Sequence, residues 1–472
     1  MGIVQPKPIS TENGPGGKAI RPFGIRDKVG YLLGDFGNDF SFMLIMAFLM
    51  VFYTDVLGIS AAQVGTLFLV ARLFDAFTDV LWGRFIDSRK TTKLGKFRPW
   101  IFRMSIPLVI TSTLLFVPIP GMSDGFYLAY AYVTYILWGL MYTTVNIPYG
   151  SMAAVISGDS NDRTALSTWR TMGAMLASLI INVLGPLVVF VDNKMEADRM
   201  FMVAVVFGLL ALASYMGCVR LTTERIVLPE KTNEEKGSIG KTFKALLKNK
   251  PLITILIASL LFMINTMLIG AVNVYLFKDY FSNAAALSIV GLIQTGTVFA
   301  AIPVLKILVA KFGKKETASI GMILASAFYF VLYFIPNLSM TAYLVLLTVG
   351  MFGFAFFNLV IWAFVTDVID YHEYLTGVRE DATVYAVYSF ARKVGQAIAG
   401  GVGGFAIAAI GYNSGSSTQS PEVLDGIYTL ATLVPAVTFL VVFLILVFIY
   451  PLNKKRVSDL AQSLIERREA TR

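Results

Sequence analysis

Apolar runs of about 20 residues, each long enough to cross a hydrocarbon core roughly 30 Å thick, recur along the chain between Lys28 and Pro451. Divided at clusters of Gly, Pro, Asn, Asp or charge, they predict membrane helices near residues 29–53, 61–86, 99–119, 125–150, 164–192 and 199–219. Six more are predicted near 252–277, 285–310, 317–336, 341–370, 383–411 and 427–450, twelve in all. One long charged interruption, Leu221 to Lys250, separates six spans from six. The chain is therefore expected to comprise an N-terminal tail (1–28), a six-helix bundle (29–220), a linker (221–250), a second six-helix bundle (251–452) and a C-terminal tail (453–472). The first 28 residues are polar and rich in Gly, Pro and Lys, unlike the short apolar stretch of a secretory signal.

Composition sharpens this picture of an all-α membrane protein. Of the 472 residues 56% are hydrophobic and 15% charged, with a mean hydropathy of +0.70, against roughly 25% charged in soluble domains. The net charge of +9 does not point to nucleic acid, because the basic residues sit in short segments between apolar runs, as topology signals do. With the N-terminus inside, the even-numbered loops carry Arg84, Arg89, Lys90, Lys93, Lys96, Arg98, Arg220, Arg225, Lys311, Lys314 and Lys315, and the odd ones only Lys194, Arg199 and Lys278. Both termini are thus expected to be cytoplasmic in a multi-pass protein of the cell membrane. A single Cys218 and a single His372 rule out an internal disulfide and a zinc or iron-sulfur cluster. The segment Gly237 to Thr242 resembles a P-loop, but Glu235 stands where the first glycine belongs and no strand precedes it. No nucleophile with a paired base is visible and His372 falls near a loop, so catalysis is not expected.

The loop after the second span, Gly83 through Lys96, is weakly echoed by Lys311 to Lys315 after the eighth. Two six-helix halves with a cytoplasmic linker match the arrangement of major facilitator transporters, whose substrates bind between the halves near the membrane midplane. The charges inside the spans then carry the functional information, since each costs on the order of 2.5 to 3.5 kcal/mol at a helix centre and needs a cavity or a partner. In the second span Arg72, Asp75 and Asp79 are spaced three and four apart, on one helical face. Two carboxylates one turn apart repel unless a proton, a monovalent cation or Arg72 neutralises them, so the pair forms a candidate cation site. The competing assignment is a structural salt bridge between Arg72 and one of the acids.

Asp35 and Asp39 are again four apart. Asp39 lies deeper and is the candidate cavity residue, whereas Asp35 can stabilise the first turn of its helix through the dipole. Asn146, Arg170, Asp367, Asp370, Arg392 and Lys393 add polar groups from both halves. A sugar needs convergent donors and acceptors, which Asp39, Asn146, Arg170 and Lys393 can supply. Trp362 and Tyr149 are candidates to stack on a sugar ring, Trp362 the better placed of the two. Asp367, Asp370 and Glu373 are expected to form gate ion pairs with loop arginines such as Arg379. The ladder Gly395 to Gly403 allows close helix packing.

These residues resemble the glycoside-pentoside-hexuronide cation symporters, the family of the melibiose carriers and the bacterial glucuronide and xyloside carriers. The likeness spans almost all the helices and is most specific in Tyr53-Thr-Asp-Val56, Gly65 to Arg72 running on through Asp75 and Asp79, and Gly95-Lys-Phe-Arg-Pro-Trp100. Asn146-Ile-Pro-Tyr-Gly-Ser151, Tyr371 to Gly377 and Arg392-Lys-Val-Gly-Gln396 extend it. The resemblance implies a fold of the major facilitator type and uptake of a glycoside, pentoside or hexuronide coupled to a cation by alternating access. It implies that Asp75 and Asp79 bind the coupling cation, Na+ being possible there, with Thr143 a neighbouring ligand. Asp39, Arg170 and Lys393 match positions associated with the sugar or with linking the two sites. Melibiose carriers differ, with a second acid at Asn146, an aromatic residue near Gly150, a lysine at Asn38 and an asparagine at Thr78. The Asn146 to Ser151 run, Trp362 and Tyr450-Pro-Leu452 look closer to the glucuronide and pentoside branch, which puts H+ ahead of Na+. The expected partners are a small sugar and the lipid bilayer, the expected state is a monomer, and no cofactor is expected. Only about 20 residues follow the last span, too few for an appended regulatory domain. The alternative is a carrier of the same fold for lipids or amphipathic solutes.

Overall fold

The computed structural model describes residues 21–87, 89, 91–157, 159–226, 249–335, 337–376, 381–413, 416 and 418–470. Helices lie at all twelve predicted places: α1 (Ile25–Val51), α2 (Ala61–Asp87), α3 (Arg98–Leu114), α4 (Asp124–Ile156), α5 (Ser160–Val189), α6 (Ala197–Leu221), α7 (Lys250–Tyr275), α8 (Leu287–Phe312), α9 (Lys314–Phe334), α10 (Met340–Thr376), α11 (Asp381–Ala409) and α12 (Pro421–Leu444). A thirteenth, α13 (Lys454–Ala470), occupies the C-terminal tail, where its buried Leu460 and Leu464 form an apolar edge and the helix meets α10 and α9. Among the described residues, eight helices are long and apolar enough to cross a membrane outright, with mean hydropathies of 1.6 to 2.9 in their best stretches. α2, which carries Arg72, Asp75 and Asp79, is not among the eight.

The differences from the predicted bounds have local causes. α3 ends at Leu114, short of the predicted 119, because Pro118 and Pro120 follow and the residue before a proline avoids the helical region. α12 starts at Pro421 rather than 427. Ser420 caps it by accepting a hydrogen bond from the Val423 amide (3.4 Å), with proline in the first turn, a start signal present in the sequence. α4 continues through Pro148 to Ile156, since one proline within a long apolar segment leaves most of the helical ladder intact.

The chain divides into two compact units, Met1–Asn233 with Ala284–Ser288 and Asn413–Ser417, and Glu234–Asn283 with Ile289–Tyr412 and Thr418–Arg472. In the first, α1 packs on α5 and α6, α3 on α4 and α6, and α2 on α4. In the second, α7 packs on α11 and α12, α9 on α10 and α12, and α8 on α10 through Ala301, Ala355 and Phe356. Raising the helix numbers by six carries the α1–α5, α1–α6, α3–α4 and α3–α6 pairs onto α7–α11, α7–α12, α9–α10 and α9–α12, whereas the α8–α10 contact is much slighter than the α2–α4 one. Even the ends agree, for both α1 and α7 close with a five-residue π turn, Phe52–Val56 and Leu276–Tyr280. Four of the helix pairs thus repeat between the two units.

Polar side chains fasten the end of the first unit where α1 begins. Asp27 is fully buried and accepts from Arg21 and Arg225 (both 2.9 Å) and from the Thr223 amide (3.1 Å). Glu224 accepts from the amides of Lys96, Phe97 and Arg98 (2.6, 2.9 and 2.9 Å), satisfying the orphan donors at the start of α3. Residues 222–226, just beyond α6, are therefore bound to the bundle.

Candidate functional site

The charged face of α2 meets α4. Asp79 accepts a hydrogen bond from the Thr143 hydroxyl at 2.7 Å. One turn earlier, Asp75 reaches Gly139 so closely that a Cβ placed there would lie 2.4 Å from its Oδ1. Only glycine leaves room for that carboxylate, a requirement the sequence analysis did not identify. Asp75, Asp79 and Thr143 thus lie together along one helix–helix seam, where two carboxylates and a hydroxyl can surround a proton or a small cation.

Arg72 borders the seam, 3.7 Å from Asp75. That separation exceeds the 2.7 to 2.9 Å of a charge-assisted hydrogen bond. Aromatic rings hold the guanidinium instead, with Phe42, Trp138 and Tyr135 centroids at 5.1, 5.5 and 6.0 Å. Trp138 is fixed in turn, its indole N–H donating to Ser41 Oγ (2.9 Å), which lies 2.7 Å from Ser112 Oγ. The structural salt bridge weighed against a cation site is therefore present but long, and Arg72 is anchored mainly by aromatic faces.

A second polar group gathers between α1, α4 and α5. Asp35 is buried ten residues into α1 and accepts from Arg170 Nε at 3.0 Å, so its expected first-turn role does not hold. The guanidinium of Arg170 also lies 5.4 Å from the Tyr149 ring. Tyr149 itself is fully buried, stacked on Tyr31 at 4.7 Å and donating its hydroxyl to the Tyr31 carbonyl, which removes it as a platform for a sugar. Asn146 is 3.5 Å from Asn38, whose carbonyl accepts from the Tyr215 hydroxyl at 2.9 Å. Asp39, one turn beyond Asp35, is partly exposed, and among the described residues no side chain hydrogen-bonds its carboxylate. Asn38 and Asp35 are thus members of the polar group, although the sequence analysis placed neither among the sugar contacts.

In the second unit, the side chains of Trp362 and Lys393 lie outside the described residues, as does Arg379. Asp367 pairs with Lys314 at 2.6 Å, tying α10 to the start of α9 within one bundle. His372 is fully buried on α10, four residues before the last residue of the helix, Thr376.

Helices at twelve places in two bundles, with a charged seam between α2 and α4, fit the build of a membrane transporter. The family described as MFS/sugar transport protein matches residues 30–454, and the chain belongs to it. It is 34% identical over 447 residues to a glucuronide carrier protein homolog of Escherichia coli K12, covering 94% of this chain and 96% of that one. A symporter of Bacillus subtilis 168, YjmB, is 35% identical over 442 residues (93% and 95% of the two chains). An isoprimeverose transporter of Lactiplantibacillus pentosus is 34% identical over 445 residues (92% and 91%). Among solved structures, a D-xylose-proton symporter shares the fold with a TM-score of 0.61 at 14% identity, covering 90% of this chain and 97% of that one.

Proposed function

We propose that the protein takes up a glycoside, pentoside or hexuronide together with one cation bound at Asp75 and Asp79, by alternating access. The observation that carries this is the α2–α4 seam: two acids one turn apart, one bound by the Thr143 hydroxyl and the other seated against Gly139. H+ is the preferred coupling ion, following the resemblance to the glucuronide and pentoside branch, and Na+ is the alternative. Asp39, Asn146 and Arg170 contact the sugar from the first unit, and Trp362 and Lys393 remain sugar contacts on sequence grounds. Symporters and a glucuronide carrier homolog among the relatives support the substrate class. The protein acts as a monomer in the cell membrane, with both termini cytoplasmic, as the loop lysines and arginines indicate.

The test uses purified protein in liposomes. An imposed H+ or Na+ gradient drives accumulation of a labelled glycoside, and the separate variants Asp75→Asn and Asp79→Asn lose accumulation while exchange without a gradient persists. Normal accumulation by both variants would remove the cation site. A second reading, a carrier for amphipathic solutes, draws on one feature: a 440 Å³ cavity between α8 and α10, lined by Ile293, Gly296, Ala300, Val349 and Phe352 together with Thr297 and Thr348. Thermal stabilisation by lysolipids and not by glycosides would favour it.

A further inference from the structure

A chain of hydrogen bonds runs behind the aromatic cage of Arg72. The Trp138 indole Nε1 donates to Ser41 Oγ at 2.9 Å, Ser41 Oγ and Ser112 Oγ are 2.7 Å apart, and Ser112 Oγ donates to the Leu108 carbonyl at 2.8 Å. The three side chains are buried and come from α4, α1 and α3. An indole N–H only donates, a carbonyl only accepts, and a hydroxyl has one hydrogen. The Ser112 hydrogen is spent on Leu108, so the Ser41 hydroxyl supplies the one between the two serines. The chain therefore has a single direction, from Trp138 through Ser41 and Ser112 to Leu108, and each of its buried donors has an acceptor.

Its first member is a ring that faces Arg72. The Trp138 centroid lies 5.5 Å from the guanidinium, and that of Phe42, the residue after Ser41, lies 5.1 Å from it. α1 thus contributes one ring of the cage directly and fixes another through Ser41. An aromatic ring packs at the matching place of the second unit without such a chain. Trp138 stands fourteen residues after the first residue of α4, and Phe354, fourteen after the first of α10, packs on Phe262 and Phe439 and has no polar side-chain atom. What the chain adds is a fixed orientation for the indole. Held by these rings, the guanidinium stops 3.7 Å from Asp75, about 1 Å beyond a charge-assisted hydrogen bond. An arginine that closed this gap would neutralise the carboxylate in place of an ion.

We infer that Ser41 and Ser112 are positioning residues for the coupling ion: by fixing the Trp138 indole they hold Arg72 short of Asp75 and keep that carboxylate available to the cation. This deepens the cation site proposed above and rests on it. Neither serine belongs to the α2–α4 seam itself. With Ser41 replaced by alanine, the buried Trp138 N–H loses its acceptor and the indole turns to find another. Arg72 is then released toward Asp75, where it competes with the ion. Ser112 acts one step further back, and its loss leaves the bond from Trp138 to Ser41 in place.

The full-length protein in liposomes is given p-nitrophenyl β-D-glucuronide or p-nitrophenyl β-D-xyloside, whichever the wild type accumulates, while the driving cation is varied. For Ser41→Ala the cation concentration giving half-maximal uptake rises about tenfold, whereas the half-saturation concentration for the glycoside, read at saturating cation, stays near that of the wild type. Ser41→Thr, which keeps the hydroxyl, recovers most of the difference, and Ser112→Ala gives a smaller rise. Trp138→Phe keeps a ring without the N–H, raises the cation requirement as well, and serves where Ser41→Ala folds poorly. A cation requirement that moves in neither Ser41→Ala nor Trp138→Phe would overturn the inference, and so would an equal rise for cation and glycoside, the mark of general damage. Asp75→Asn separates this failure from that of the cation site. If that variant accumulates the glycoside normally, site and relay fall together; if it does not, an unmoved Ser41→Ala overturns the relay alone.

Discussion

In the first unit Asp75 of α2 lies against Gly139 of α4, and in the second Ala301 of α8 lies against Ala355 of α10. These are the same places in the repeat. Asp75 and Ala301 each come fourteen residues after the first residue of their helix, and Gly139 and Ala355 fifteen. The correspondence extends along the seam. Arg72 matches Val298, Asp79 matches Leu305 and Thr143 matches Leu359, and all five second-unit residues belong to one apolar cluster. The second unit therefore offers an internal comparison, since it fills the matching positions with apolar residues across a slighter contact. The comparison fits the proposed cation-binding role of the charges in the first unit, which the membrane penalises.

The largest effect is expected from giving the first unit the residues of the second. The triple variant Arg72→Val, Asp75→Ala, Asp79→Leu should reduce gradient-driven accumulation in liposomes to that of empty vesicles, while its melting temperature in detergent stays at or above that of the wild type. A clear loss of stability would show that the charges are structural and would undo the comparison. The reverse graft, Ala301→Asp, places a carboxylate in an apolar cluster and should destabilise the protein by about 3 kcal/mol, read as a fall in thermal midpoint. A neutral result would mean that the cluster is wetter than its residues suggest.

Smaller changes refine the seam. Gly139→Ala pushes a methyl group into the Asp75 carboxylate and should weaken activation by the coupling ion about tenfold, or 1.4 kcal/mol, measured as the ion concentration giving half-maximal uptake. Its counterpart Ala355→Gly should cost about 1 kcal/mol of stability through helix propensity and leave that concentration where it was. Smallest of all, Thr143→Val removes the hydroxyl donated to Asp79, an effect of about 1 kcal/mol, and Thr143→Ser should recover it.

Much of this was legible in the sequence, and for physical reasons. Membrane thickness sets the length of an apolar run, so the twelve helices could be placed to within a few residues, and the spacing of Arg72, Asp75 and Asp79 was enough to put them on one face. Partners across helices were not readable in the same way. Asp35 meets Arg170 across 135 residues of chain, and a helical period says which face a residue occupies without saying what lies opposite. Gly139 carries no side chain to mark its role, and Tyr149 reads as a possible stacking ring until its burial against Tyr31 is seen. The tail helix α13 was missed because a short, strongly charged segment offers too little apolar signal to stand out after twelve membrane spans.

Arg72 also bears on the electrical behaviour of the carrier. Counted as ions, one guanidinium and two carboxylates leave the seam with a single negative charge, which one monovalent cation cancels. With the proposed cation bound the seam would be neutral and indifferent to voltage; without it, it would carry a charge on which a membrane potential acts with about 2.3 kcal/mol per 100 mV over the full span. With the cation site as proposed, the voltage-sensitive half of the cycle would be the return of the empty carrier, and the aromatic cage around Arg72 would be what makes the sum come to minus one.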